Sequence, residues 1–247
     1  MKRTLLFCFS LLCLVTLCFE GCTNSYPIGE KSGPGQISPN PVTTDPVVVN
    51  AYLALGDSYT IGEGVSPSDR YPAQAAALLV SRGTETFSSI QYIAHTGWTT
   101  SDLAKAIASQ NPTAPFDLVT LMIGVNDQYQ LGDTTGYRDK FAMLLKTSVQ
   151  LAGNRSSRVI VLSIPDYGVT LFGSGWPNVG KQIDEFNAIN LAVSLSNKVA
   201  YLSITEISRQ AANSPGLILG EGPHFTGAEY ALWAAPLADL MAKVLKN

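Results

Sequence analysis

Val47-Val48-Val49-Asn50-Ala51-Tyr52-Leu53-Ala54-Leu55-Gly56-Asp57-Ser58-Tyr59 is an apolar run that breaks at a glycine into a polar turn. The run predicts a strand over 47–55, ended by Gly56. Beyond it comes a hydroxyl-bearing turn and then a loop containing Gly62 and Gly64. Such a turn sets a serine hydroxyl just past the C-terminal end of a strand, where open parallel sheets gather their functional groups. Taken alone, the Asp57-Ser58 pair serves equally well as a helix cap, since both residue types do so routinely. It is neither a Gly-x-Ser-x-Gly elbow nor a Gly-x-Gly-x-x-Gly turn. An ordinary α/β-hydrolase and a dinucleotide site are therefore unsupported.

Outward from this strand, short apolar runs alternate with helical patterns. Further strands are predicted over 89–94, 118–123, 158–164 and 200–204. Helices are predicted over 71–82, from Thr100 or Ser101 onward, and over 136–152, 180–196 and 226–245. Strands of about 4–8 residues separated by helices of ten or more indicate βαβ units and a parallel sheet. No internal repeat is visible.

Three more strand-end or helix-start phrases then stand out. The second strand runs into Ala94-His95-Thr96-Gly97-Trp98-Thr99, and Gly97 permits a close approach of backbone to ligand. The third runs into Gly124-Val125-Asn126-Asp127, which offers a carboxamide donor. Glu221-Gly222-Pro223-His224 precedes the last helix. In this order, and with Ala54-Leu55-Gly56-Asp57-Ser58-Tyr59-Thr60-Ile61-Gly62-Glu63-Gly64 and Leu162-Ser163-Ile164-Pro165-Asp166, the chain resembles the SGNH hydrolase, or GDSL, family from Val47 to about Leu245. The resemblance implies an α/β fold of flavodoxin-like type: a three-layer α/β/α sandwich with a five-stranded parallel sheet. It also implies hydrolysis of esters or thioesters. Residue by residue, it makes Ser58 the nucleophile, His224 the base, and Gly97 and Asn126 oxyanion donors.

The chemistry fits those roles. A serine hydroxyl is a poor nucleophile until a base takes its proton, and a neutral imidazole does this near pH 7. Donors fixed before the reaction stabilise the tetrahedral oxyanion, and losing one typically costs about 2.7–4 kcal/mol. The backbone N–H groups of Ser58 and Gly97 and the Asn126 carboxamide can supply three. The family has aspartate three residues before its histidine, and here that position is Glu221, one methylene longer. Three outcomes follow: Glu221 is the third triad member, His224 works with Ser58 as a dyad, or the enzyme is weakened. The first is favoured. His95 lacks such a carboxylate and reads as a loop histidine bonded to backbone. Asp57 reads as a turn residue accepting backbone N–H bonds, and Asp127 as support for the Asn126 loop. Trp98, Trp176 and Tyr129 are candidate pocket walls that would serve a core equally well. The Gly173-Ser174-Gly175-Trp176-Pro177 loop is a candidate to overhang the cleft.

Of the 247 residues, 46% are hydrophobic and 14% charged, which fits one globular domain with extensions. Sixteen Lys and Arg stand against 19 Asp and Glu, with no basic run, which argues against nucleic acid as a partner. All four cysteines lie at positions 8, 13, 18 and 22, so the body of the chain has neither a disulfide framework nor a cysteine metal site. Lys2 and Arg3 precede an apolar stretch over 5–19, the pattern of a signal peptide over 1–21. Cys22 resembles the lipidated cysteine of a bacterial lipobox, although Phe19 and Glu20 depart from the usual pattern; cleavage nearby without lipidation is the alternative. Residues 22–46 are rich in Pro, Gly, Ser and Thr and read as a tether, followed by a hydrolase domain over 47–247.

The combined expectation is an exported serine hydrolase cleaving carboxylic esters through an acyl-enzyme, without cofactor or metal. Its substrates would be short-chain acyl or O-acetyl esters, on small molecules or polysaccharides, with lysophospholipids also open. Membrane contact would come only through a lipid anchor at Cys22. The rivals are a thioesterase and a non-catalytic carbohydrate- or envelope-binding module on the same fold.

Overall fold

In the computed structural model, which describes residues 49–246, five strands form one parallel sheet in the order β2-β1-β3-β4-β5. They are β1 (Val49–Gly56), β2 (Thr86–Ala94), β3 (Leu118–Met122), β4 (Val159–Leu162) and β5 (Ala200–Leu202). The predicted leader, Cys22 and the tether lie outside the described residues. In the central strands consecutive side chains are buried: Leu53, Ala54 and Leu55 in β1, Leu118 and Val119 in β3, and all of Val159–Leu162 in β4. A strand buried on both faces needs helices on both sides of the sheet. They are supplied by α2 (Tyr71–Ser81) packed on α8 (Gly227–Lys246), and by the contiguous group α3 (Thr100–Gln110), α5 (Tyr137–Leu151) and α6 (Val179–Ser196).

The five long helices and five strands are those the periodicity predicts, with ends shifted by a few residues. Strand β2 starts three residues early, because Thr86 and Phe87 pair with Val49 and Asn50 ahead of a bulge at Asn50/Ala51. Three short helices add to the prediction: α1 (Ser58–Ile61), α4 (Val125–Leu131) and α7 (Thr205–Gln210). Two of them follow directly on β1 and β3. The strand order reverses direction at β1, so β2 and β3 flank it on opposite sides, and the crevice of such a sheet opens beyond the C-terminal ends at this switch point. Ser58 and Asn126 both sit there.

Candidate active site

Ser58 occupies the first position of α1, immediately after Asp57. Asp57 is the cap, and its Oδ1 accepts the Tyr59 N–H at 3.1 Å, so the serine side chain is not used for capping. Among the described residues Ser58 Oγ has no hydrogen-bond partner, and the side chain is nearly buried at the floor of a cleft. Oδ2 of Asp57 is buried without a partner among the described residues, and burial pushes the carboxyl up to about 8. The native state therefore holds a proton, between the ordinary aspartate range and about pH 8, that the unfolded chain has lost, so this group's contribution to stability falls as pH rises. Asp57→Asn keeps the Oδ1 acceptor and removes the titration. The variant's Tm relative to wild type is expected to rise steadily from pH 5 to pH 8, and a pH-independent difference would contradict this.

Gly97 adopts φ +80, a left-handed conformation that favours glycine, and a Cβ added there would meet nothing within 4 Å. The backbone dihedral, not crowding, is the requirement. It turns the β2–α3 loop so that Gly97 lines the cleft beside Asn126. The Asn126 carboxamide donates one hydrogen bond to the Trp98 carbonyl at 3.0 Å, which joins the two loops and leaves its second N–H available. Asp127 anchors the same corner from below, accepting the Thr100 N–H at 2.8 Å and the Thr100 hydroxyl at 2.7 Å. That is the support expected of it. No backbone partner appears for the N–H of Ser58 or of Gly97 among the described residues.

His224 lies in a short hairpin ahead of α8. Ile218 and Phe225 form a bridge, and the Leu219 N–H donates to the His224 carbonyl at 2.9 Å. The imidazole packs on Tyr59 with ring centres 5.2 Å apart, above a buried cluster of Tyr59, Phe225, Tyr230 and Trp233. The Tyr59 hydroxyl donates to the Pro223 carbonyl at 2.9 Å, pinning the turn to α1. Burial lowers the pKa of His224, and the neighbouring Glu63 carboxylate partly opposes this. Burial thus favours the neutral ring, the form a general base requires.

One cleft of about 170 Å³ is lined by Ser58, Gly97, Asn126 and His224, together with Tyr59, Thr96, Val125, Tyr129, Tyr167, Phe172 and Pro223. The structure does not bring Glu221 to His224. Glu221 is exposed at the tip of the 220–223 turn and makes no hydrogen bond or ion pair among the described residues, because closure of the hairpin leaves the tip outward. The carboxylate near the imidazole is Glu63, whose Oε2 is 3.7 Å from Nε2. No hydrogen bond joins Ser58 Oγ to His224; such bonds often tighten only when substrate binds. His95 is exposed, stacks on Trp98, and pairs its Nδ1 with the Thr96 carbonyl at 2.8 Å, away from the cleft. Tyr129 is a cleft wall, Trp176 packs on its outer side at 5.3 Å, and Trp98 is half-buried against the core.

Sequence reasoning missed Tyr59, Val125, Tyr167, Phe172 and Glu63. The short loop 165–178 after β4 delivers Tyr167 and Phe172. It is held by Asp166, which accepts the Gly168 N–H at 2.8 Å and Arg209 Nε at 2.9 Å. A Pro-Asp pair directly after a predicted strand was the available signal.

Ser58, Gly97, Asn126 and His224, drawn from the ends of β1, β2 and β3 and from the turn before α8, meet beyond the strand ends of one doubly wound sheet. A family model described as GDSL-like Lipase/Acylhydrolase matches residues 54–232, and the chain belongs to that family. Similar solved structures include a lipase/acylhydrolase from Enterococcus faecalis, with TM-score 0.60, 21% identity, and coverage of 79% of this chain and 96% of that one. A psychrotrophic esterase from Pseudoalteromonas sp. has TM-score 0.59 at 15% identity, covering 80% and 100%. An acetyl xylan esterase from Geobacillus stearothermophilus has TM-score 0.56 at 18%, covering 79% and 96%. At these identities they establish the shared fold. Among curated protein sequences none matches the chain.

Proposed function

We propose that the protein hydrolyses short acyl or O-acetyl esters through a covalent acyl-enzyme on Ser58. The observation that carries this reading is the convergence of Ser58, Gly97, Asn126 and His224 on one cleft from four separate loops. His224 takes the Ser58 proton as Oγ attacks the ester carbonyl. The N–H groups of Ser58 and Gly97 and the free N–H of Asn126 receive the oxyanion. The imidazolium then protonates the leaving alcohol, and water, deprotonated by the same ring, releases the acid.

The walls argue for a small acyl group. Val125, Tyr129, Tyr167 and Phe172 make the cleft apolar, and its volume resembles the ~150 Å³ of a cavity that accepts benzene. Acetyl xylan is the substrate of one structural neighbour, and a polysaccharide acetyl ester fits an open cleft of this size. The leader, Cys22 and the tether support an exported enzyme, lipid-anchored in a bacterial envelope. A panel of p-nitrophenyl acetate, butyrate and octanoate with acetylated xylan tests the acyl preference. Highest kcat/KM is expected for acetate or butyrate, falling for octanoate; octanoate as the best substrate, or no turnover of any, would contradict the reading.

A further inference from the structure

Glu63 lies near the end of the Ala54–Gly64 phrase and has no role implied by the resemblance, yet it touches three of the motif blocks. Its N–H donates to the Ser58 carbonyl at 2.9 Å, its carboxylate accepts the hydroxyl of Thr96 beside Gly97, and Oε2 stands 3.7 Å from His224 Nε2. Two glycines bring it there. Gly62 and Gly64 adopt φ +67 and +81, turning the chain back over Ser58. A Cβ on Gly64 would fall 2.1 Å from Leu219 Cδ2, so the loop is seated directly on the hairpin that carries His224. With the bond from Tyr59 to Pro223, the nucleophile segment meets this hairpin at three points, and Glu63 is the charged one.

We propose that Glu63 is the positioning residue for His224, its carboxylate holding the Nε2 side of the imidazole while Thr96 fixes that carboxylate against the Gly97 loop. The inference rests on the reading of Ser58 as nucleophile and His224 as base. The base gains a positive charge when it takes the serine proton, in a site where burial opposes charge. Among the described residues no Lys or Arg lines the cleft. The Glu63 carboxylate stands beside the ring, the Tyr59 phenol packs on it, and the phenols of Tyr129 and Tyr167 share the cleft, whereas Glu221 in the ring's own turn is exposed and unbonded among the described residues. Glu63 is thus the carboxylate placed to offset the imidazolium. Its side chain is 41% exposed, so solvent screens the effect to a moderate size.

The sign follows. A carboxylate beside His224 favours the protonated ring, so removing its charge makes protonation harder. Glu63→Gln is expected to lower plateau kcat by about tenfold with little change in KM, and to move the acidic limb of kcat/KM to lower pH. Glu63→Asp keeps the charge and is expected to keep the wild-type limb. Phosphonate labelling of Ser58, run on the same preparations, separates the two levels of the claim. Wild-type protein whose Ser58 is not labelled overturns the hydrolase reading and this inference with it. Ser58 labelled, with E63Q keeping the wild-type kcat and limb, overturns only the role of Glu63. So does a kcat loss with an unmoved limb, which a merely loosened loop would give, or a limb that moves in E221Q and not in E63Q.

Discussion

Ser58→Ala is expected to lower kcat for p-nitrophenyl acetate by about 10⁴- to 10⁶-fold, with KM within a few-fold of wild type. The size comes from removing the proposed nucleophile while leaving the rest of the site in place. The Ser58 and Gly97 N–H groups and the Asn126 carboxamide remain, so a residual rate above that in water persists. Stability should hardly change. Ser58 Oγ has no hydrogen-bond partner among the described residues, and the helix cap is Asp57. A folded and nearly inactive variant, with Tm within a few degrees of wild type, is the predicted outcome. Were Ser58 a structural cap, the same substitution would lower Tm and spare activity. Parallel melting curves and steady-state rates decide between these outcomes.

His224→Ala is expected to cost kcat a similar factor, about 10⁴-fold or more. In the proposed mechanism the imidazole serves twice, as base toward Ser58 and as acid toward the leaving alcohol, so no single remaining group replaces it. The pH profile identifies the cause of the loss. Burial lowers the His224 pKa from the ordinary histidine value, and Glu63 opposes this in part. The acidic limb of wild-type kcat/KM should therefore lie on the low-pH side of an ordinary histidine titration, where protonation removes the base. In His224→Ala that limb should vanish. An acidic limb of unchanged position in the variant would mean that another group supplies the base.

The architecture is legible in the sequence because its units are long relative to their periods. Leu53-Ala54-Leu55 and Val159-Ile160-Val161-Leu162 read as buried strands, and the Ala- and Leu-rich run after Tyr71 as a helix. The short helices are not legible. Helix α1 has four residues and α4 seven, about one and two turns, too few to show a 3.6-residue pattern. The first residues of β2 are hidden for another reason: Thr86 and Phe87 gain strand character from pairing with β1, and Ser88 is the unpaired residue of the bulge that follows.

The candidate site divides along the same line. Ser58, Gly97, Asn126 and His224 announce themselves because each sits in a short block next to a strand or helix end. The carboxylate does not. Spacing along the chain points to Glu221, three residues before His224, but the bridge between Ile218 and Phe225 and the bond from Leu219 leave that residue at an exposed tip. Glu63 lies far from His224 in sequence and reaches it only through two glycine turns and the fit of Gly64 on Leu219. The aromatic walls Tyr167 and Phe172 likewise come from a loop whose position depends on Asp166 and Arg209. Contacts between distant segments leave no local pattern to read.

Peptide mass spectrometry after exposure to a p-nitrophenyl alkylphosphonate bears most directly on Ser58. One phosphonyl adduct is expected per chain, on the peptide containing Ser58, absent from Ser58→Ala and formed much more slowly in His224→Ala. Active wild-type enzyme with Ser58 unmodified, or with the adduct on another residue, would contradict the assignment of Ser58 as the nucleophile.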